Sequence, residues 1–195
     1  CADLIQRAIK FEQQNFLYIK ALGSPWVQFN GQTLNLSHRQ IEILCILALH
    51  PHGIGLEELH YALYGERNVS IKTLKAELSQ LRSLLPHCIE ARIYRLSCEV
   101  QCDFLRAEQS LNANLISSTF SLYKGSFLSK SESPLLSTWR HCFDARLSQL
   151  IYQIKDIDQL LRIIGQTHDR IDAVQRLLEL LPQDSIHRNY FSNLI

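Results

Sequence analysis

The sequence predicts an α+β domain followed by an all-α domain within 195 residues. Three observations support this prediction. Residues 16–36 alternate apolar and polar side chains around an Asn-Gly pair, which is typical of short strands joined by a tight turn. Residues 38–85 contain segments with apolar side chains at intervals of three and four, which indicates amphipathic helices. From residue 103 onward the helical spacing recurs between short breaks that contain glycine or proline.

The composition is that of an ordinary globular protein. Apolar residues make up 46% of the sequence and charged residues 20%, and the formal net charge is +1. No run approaches the roughly 18 apolar residues of a membrane span, and the first residues lack the apolar core of a secretion signal. We therefore expect a cytoplasmic protein without membrane contact. The sequence contains no methionine, which we interpret as the sign of a fragment of a longer chain.

The first half of the chain is predicted to begin with a connector and a small sheet. Residues 1–15 have one apolar side and are predicted to form a connector helix from a missing upstream domain. "FLYIKALG" and "WVQFNGQTLNL" then predict strands. Asn30 and Gly31 are favoured in tight turns and predict a hairpin between the last two strands.

Three helices are predicted next. Ser37 followed by Gln40 is a capping-box pattern, which predicts a helix start at His38. The second helix is "GLEELHYALYG", closed by Gly65. The third covers residues 70–85 and ends before a proline. Its leucines share one face and are predicted core residues: Leu74, Leu78, Leu81 and Leu85.

A short β-hairpin is predicted after the third helix, in "CIEARIYRLSCEV", with Ile93, Tyr94 and Leu96 as strand residues. A small sheet, three helices and a terminal hairpin follow one another in a winged helix-turn-helix. Periodicity alone does not distinguish this order from other α+β domains. The predicted winged-helix domain spans 16–100, with the boundary to the helical part at about 101–103.

The remainder, 103–195, is predicted to be a separate helical domain. Its segments are "DFLRAEQSLN", "ISSTFSLYKGSFL", "LLSTWRHCFDARLSQLIYQIKDIDQLLRIIG" and "DRIDAVQRLLELLP". Helix pairs of this kind stack into bundles or into TPR-like solenoids. We therefore predict a TPR-like helical domain.

The residues that could carry catalysis or hold a metal form no recognisable pattern. Cys98 and Cys102 are four apart, without a second pair to complete a zinc site, and Cys45 lies in an apolar run. The sequence has no P-loop, G-x-S-x-G or H-E-x-x-H motif. We therefore predict no enzyme activity, no cofactor and no metal. Trp26 and Trp139 are predicted to be packing residues.

The sequence also shows a family resemblance. Residues 33–96 resemble the winged helix of OmpR/PhoB-type response regulators and of SARP-type antibiotic-pathway regulators, through "LSHRQIEILCILALHP", "LEELHYALYG", "LKAELSQLRSLL" and "YRL". Residues 103–181 resemble the bacterial transcriptional activator domain that follows it, through "DFLRAE", "LYKGSFL" and "DAVQRLLELLP". The chain as a whole is similar to the C-terminal part of bacterial regulators with a sensory GAF domain upstream.

The resemblance implies that the helix at residues 70–85 enters the major groove of double-stranded DNA. Lys72 and Thr73 match positions that hold phosphates near the helix start, and Arg82 matches a further phosphate-contacting position. Arg92 would be the charge of the wing. The groove-facing positions are occupied by Lys75, Ala76, Ser79 and Gln80.

Two of these residues have an expected partner among the bases. Gln80 would bind adenine through its amide, and Ala76 would contact a thymine methyl group. Gln80 stands where arginine is common in the family, and Glu77 brings a negative charge to the same helix. The wing lacks the family's G-x-G-Y-R pattern and is short. We therefore expect a modest non-specific affinity for DNA, since that part of the binding comes mainly from neutralised phosphates.

The predicted function is that of a DNA-binding module of a transcriptional regulator. Residues 103–195 would serve dimerisation or contact with the transcription machinery. The alternative is a protein–protein interaction module that uses the helical part without binding DNA. The first hypothesis predicts salt-sensitive binding to duplex DNA, weakened when Lys72 and Lys75 are replaced.

Overall fold

The computed structural model of the chain describes residues 15–167, 169–183 and 185–193. Apart from Asn15, the predicted connector helix 1–15 lies outside the described residues. The chain divides into two compact units, each assembled from separate segments. Unit 1 comprises the residues up to Lys20 together with Pro25–Cys102 and Ser131–Leu136. Unit 2 comprises Ala21–Ser24, Asp103–Lys130 and the residues from Ser137 onward.

Unit 1 contains a four-stranded sheet with strand order β3-β2-β1-β4. Its strands are β1 (Phe16–Lys20), β2 (Trp26–Phe29), β3 (Gln32–Leu34) and β4 (Glu99–Cys102). β1, β2 and β3 pair antiparallel in chain order, whereas β4 pairs parallel with β1. Asn30 and Gly31 both have positive φ, 49° and 79°, as a primed two-residue hairpin turn requires. The predicted hairpin is therefore confirmed.

Three helices of unit 1 follow the sheet: α1 (His38–Leu49), α2 (Leu56–Tyr64) and α3 (Ile71–Leu84). The capping box at the start of α1 is confirmed, since Ser37 and Gln40 exchange both of its hydrogen bonds. Gly65 caps the end of α2, also as predicted. Ser70 caps α3 by accepting a hydrogen bond from the backbone N–H of Lys72 at 3.2 Å. Local cap chemistry thus sets the bounds of these helices.

The core of unit 1 is formed by buried residues of the sheet and of the three helices. β1 contributes Leu17 and Ile19, and the middle of α1 is buried on all sides between Ile41 and Leu47. Cys45 is completely buried there, as its apolar surroundings predict. The four leucines predicted as the core face of the third helix are all buried: Leu74, Leu78, Leu81 and Leu85. This confirms the orientation of α3 about its own axis.

The rest of the chain is helical. Its helices are α4 (Asp103–Asn112), α5 (Ile116–Leu122), α6 (Pro134–Gln153), α7 (Ile157–Gln166), α8 (Ile171–Leu180) and α9 (Ile186–Ser192). The long helical segment predicted from residue 135 to 165 is interrupted at 154–156. Asp156 caps α7 by accepting a hydrogen bond from the N–H of Asp158 at 3.0 Å, which begins a new helix there.

Two clusters organise unit 2. Asp103 is buried at the start of α4 and accepts hydrogen bonds from three backbone N–H groups, those of Ala21, Leu22 and Phe104, at 2.8, 3.0 and 2.7 Å. Trp139 of α6 packs against a group of phenylalanine rings with centroid distances of 4.5–5.3 Å: Phe104, Phe127 and Phe143. Its predicted packing role is therefore confirmed.

The architecture is a mixed α+β fold with a small sheet and many helices, which agrees with the predicted class. The finer prediction of a TPR-like helical domain stays a prediction. No helix among the described residues combines the length and apolar character needed to cross a membrane.

Candidate nucleic-acid interface

Helix α3 presents one polar face to solvent above its buried leucines. Six of the residues predicted to contact DNA lie on that face with exposed side chains: Lys72, Thr73, Lys75, Ala76, Ser79 and Gln80. We refer to these six residues as the α3 face. Their spacing of three and four places Lys72, Ala76 and Ser79 along the middle of the face and Gln80 at one edge. Arg82 lies beyond the opposite edge and is not part of the α3 face. The α3 face is therefore accessible to a macromolecular partner.

The charge of the α3 face is more positive than the composition of the helix suggests. Lys72 and Lys75 are exposed, whereas Glu77 is half-buried, with its Oε2 atom away from solvent. Glu77 acts on Tyr64 of α2. Burial raises the pKa of the Tyr64 hydroxyl, Arg39 lowers it, and the negative charge of Glu77 raises it further. Glu77 therefore faces the packed side of α3, and its charge is directed away from the lysines.

Gln80 is bonded to a neighbouring helix. The side-chain amide of Gln40, at the start of α1, donates from Nε2 to Oε1 of Gln80 at 3.0 Å. Gln40 is 6% exposed, whereas Gln80 is exposed. One edge of the α3 face is thus fixed to the capped end of α1.

Arg82 lies at the opposite edge, where it contacts the wing instead of extending into solvent. Its Nη2 atom donates to the carbonyl oxygen of Glu90 at 3.2 Å, and its guanidinium carbon lies 5.3 Å from the centroid of the Tyr94 ring. The Arg82 side chain is half-buried, and its Nε atom is buried without a hydrogen-bond partner. The structure therefore places this predicted phosphate contact between α3 and the wing.

The wing is a short irregular hairpin, residues 88–97. The N–H of Ser97 donates to Cys88 O at 2.9 Å, and the N–H of Glu90 donates to Arg95 O at 3.0 Å. Ile89 and Leu96 form an isolated bridge across it. This hairpin contains no regular ladder strands. The last two residues of the predicted hairpin "CIEARIYRLSCEV" belong instead to β4, which pairs with β1.

One side of the wing pairs with the turn between α1 and α2. Tyr94 and Ile54 exchange both backbone hydrogen bonds at 2.9 Å. The prediction that Ile93 is a strand residue is wrong, because Ile93 lies in a bend and is 56% exposed. Gly53 has φ of 94°, and a Cβ atom there would clash with Cγ2 of Ile93. Glycine at this position therefore permits the close approach of the wing.

The tip of the wing is charged. Arg92 is exposed and has φ of 76°, which reverses the chain at the tip. Arg95 donates to both carboxylate oxygens of Glu90 at 2.7 and 2.9 Å, and this pairing raises the pKa of the Arg95 guanidinium. Arg92 is thus an exposed cation at the tip of the wing.

Two thiols meet at the base of the wing. Cys88 is completely buried and Cys98 is half-buried. Burial is the main cause that raises the pKa of the Cys98 thiol to about 12, and a hydrogen bond to the adjacent Cys88 and the charge of that thiol contribute to the same shift. These thiols are packing groups here. Across the described ranges, no three His, Cys, Asp or Glu side chains come together as a metal site would require.

Sequence reasoning finds the α3 face but misses the residues that position it. Gln40 is recognised from the sequence as a cap, while its bond to Gln80 joins residues far apart in the chain. Tyr94 and Gly53 carry no local signal for their mutual approach through the wing. The sequence "PHG" does indicate a tight turn at Gly53, since glycine is favoured where φ is positive, but it does not indicate which segment approaches that turn.

Comparison with known proteins gives a limited set of relatives. No model of a known protein family matches the chain. An uncharacterised 47.3 kDa protein from the thcA 5′ region of Rhodococcus erythropolis is 28% identical over 153 residues, which is 78% of this chain and 35% of that protein.

A solved structure gives the fold. Mycobacterium tuberculosis EmbR in complex with a low-affinity phosphopeptide matches with a TM-score of 0.54 and 16% sequence identity, over 92% of this chain and 56% of that chain. The likeness shows that this chain shares the fold of the matched part of EmbR. The chain spans only about half of the EmbR chain and about a third of the Rhodococcus protein. Neither comparison supports the predicted GAF domain upstream.

Proposed function

We propose that the chain is a DNA-binding module of a transcriptional regulator, with the α3 face as the surface that enters the major groove. Lys72, Thr73 and Arg92 would contact phosphates, and Lys75, Ala76, Ser79 and Gln80 would lie along the base edges. Residues 103–195 would serve dimerisation or contact with the transcription machinery. The EmbR-like fold supports a role in transcription.

One observation carries the proposal. All six side chains of the α3 face are exposed, while every leucine on the opposite face of the helix is buried. A helix of this size fits the major groove, and its two lysines supply the positive charge that phosphates attract. Arg92 at the wing tip extends the positive surface beyond the helix.

The test is a salt series. A labelled duplex that carries the promoter region of the protein's own gene is titrated by fluorescence anisotropy, with the wild type and with the Lys72→Ala/Lys75→Ala variant. Each lost phosphate contact flattens the slope of log affinity against log salt by about 0.9, so the double variant should lose about 0.9 units through Lys72, while the loss of Lys75 lowers the affinity for the specific site.

The matched control is Lys124→Ala/Lys155→Ala. Both of these lysines are exposed and belong to unit 2, and the variant makes the same change in net charge. It should keep the wild-type slope. Equal slopes for the two double variants, or no binding by the wild type at low salt, would contradict the proposal.

The alternative function is a protein-interaction module that uses the helical part. It is favoured by large apolar side chains exposed in unit 2: Leu115, Tyr152, Leu161, Ile171 and Tyr190. This hypothesis predicts that the chain retains a partner protein after the α3 face has been neutralised. It also predicts no salt-dependent binding to duplex DNA.

A further inference from the structure

Three residues of unit 1 form a hydrogen-bond chain that ends on the α3 face. The backbone N–H of Ser37 donates to Oε1 of Gln40 at 3.0 Å, and the N–H of Gln40 donates back to Oγ of Ser37 at 3.2 Å. Nε2 of Gln40 then donates to Oε1 of Gln80 at 3.0 Å. We refer to Ser37, Gln40 and Gln80 as the glutamine chain.

The direction of every bond in the glutamine chain is fixed by its first member. A backbone N–H can only donate, so the Gln40 amide must present its oxygen to Ser37 and its nitrogen to Gln80. Gln40 is 6% exposed, and turning its amide over would set two N–H donors against each other at the cap. Gln80 must therefore accept with its oxygen, which leaves its Nε2 amino group as the free end of the side chain.

This orientation decides what the Gln80 side chain offers to a base. Guanine presents two acceptors in the major groove, N7 and O6. Cytosine presents one amino donor, and adenine presents one amino donor and one acceptor, N7. An adenine contact through both amide atoms would need the Gln80 oxygen, which already accepts from Gln40 with one of its two lone pairs, to accept a second hydrogen bond from the base. We propose that Gln80 acts as a donor to guanine, and that Gln40 is the positioning residue that imposes this preference.

The proposal rests on the proposed function, because it deepens the role of the α3 face. Gln40 does not contact DNA in it. Its role is to hold the amide of Gln80 in one of two orientations that have nearly the same shape and opposite hydrogen-bonding character. Such a residue determines specificity without adding to the phosphate contacts.

The decisive variant is Gln40→Glu. Glutamate keeps the acceptor for the Ser37 N–H, since it is a usual residue at this position of a capping box, and the helix start retains its cap. The second carboxylate oxygen can only accept, so Gln80 must rotate its amide and donate from Nε2. Its oxygen then faces the DNA and accepts from an amino group of cytosine or adenine.

The experiment is selection from a pool of random-sequence duplexes, followed by sequencing, with the wild type, Gln40→Glu and Gln40→Ala. The wild type should enrich guanine at one position of its site. Gln40→Glu should replace that guanine with a base that presents an amino group, a change of about fivefold or more in relative affinity. Gln40→Ala should lose discrimination at that position only. Gln109→Glu, an exposed glutamine in α4, makes the same charge change and should leave the whole site unchanged.

The outcomes separate the two proposals. No enrichment of any sequence by the wild type would overturn the proposed function and this inference with it. An enriched site that is identical for all variants would overturn the inference and leave the proposed function standing. Circular dichroism melting identifies a variant that fails to fold, and in that case the Gln40→Ala selection alone decides.

Discussion

The guanidinium carbon of Arg82 lies 5.3 Å from the centroid of the Tyr94 ring, and this contact joins α3 to the wing. The same arginine donates from Nη2 to the carbonyl oxygen of Glu90 at 3.2 Å. Tyr94 in turn exchanges both backbone hydrogen bonds with Ile54. The wing is short, and these contacts hold it at two points: the side of α3 and the turn before α2.

Arg82→Ala should loosen the wing in the free protein. The cation–π contact contributes about 0.5–1 kcal/mol, and the hydrogen bond to Glu90 contributes about as much again. Hydrogen exchange at the amides of Glu90 and Tyr94, which both donate within the hairpin or to Ile54, should accelerate by about five- to thirtyfold. Lys72→Ala is the control, because Lys72 is exposed on the same helix. Equal exchange rates in the two variants would show that Arg82 does not hold the wing.

Gly53→Ala and Gly165→Ala should change stability in opposite directions. Gly53 has φ of 94° and approaches Ile93, so a side chain there combines backbone strain with a clash and should cost about 1–3 kcal/mol. Gly165 lies in α7, with open space where a Cβ would be, so alanine should stabilise the helix by about 0.5–1 kcal/mol. Urea denaturation followed by circular dichroism measures both. A stabilising Gly53→Ala would refute the close approach of the wing.

Elements that depend on neighbouring residues could be predicted from the sequence. The capping box at Ser37, the turn at Asn30-Gly31 and the end of α2 at Gly65 all act over a few residues, and each lies where the pattern predicts it. The buried leucines of α3 follow from the same local periodicity. Because these leucines fix the rotation of the helix, the exposed face follows as well.

Features that join distant segments could not be predicted in this way. The parallel pairing of β4 depends on β1, which lies far away in the sequence. In addition, apolar and polar residues alternate too weakly along β4 to indicate a buried face. Arg82 matches a phosphate-contacting position by pattern, but its contacts are set by the path of the wing. The break at 154–156 had a local signal in Asp156, which the continuing apolar spacing concealed.

The cysteines should differ sharply in reactivity. The thiolate is the nucleophile, and burial raises the pKa of Cys98 to about 12, so almost none of it is ionised at neutral pH. Among the five cysteines that the structure describes, Cys142 is the exposed one, on α6, and should react first. Labelling the folded protein with N-ethylmaleimide, followed by peptide mass spectrometry, separates the sites. Cys98 should be labelled rapidly only after denaturation, and fast labelling in the folded state would contradict its burial beside Cys88.

Asp103→Ala should strongly destabilise unit 2. The carboxylate accepts from the N–H groups of Ala21, Leu22 and Phe104, and their loss leaves buried donors without partners, at a cost of about 3 kcal/mol or more. Asp156→Ala, which removes an exposed helix cap, should cost only about 1 kcal/mol.

The measurement is urea denaturation in a Trp26→Phe background, where Trp139 is the remaining tryptophan and reports on unit 2 through its contacts with Phe104 and Phe143. The midpoint should fall much further for Asp103→Ala than for Asp156→Ala, with unchanged slopes. Equal shifts would mean that water binds the three backbone N–H groups after the Asp103 carboxylate is removed. The 3% exposure of Asp103 argues against this outcome. The comparison therefore tests whether Asp103 ties residues 21–22 to the start of α4.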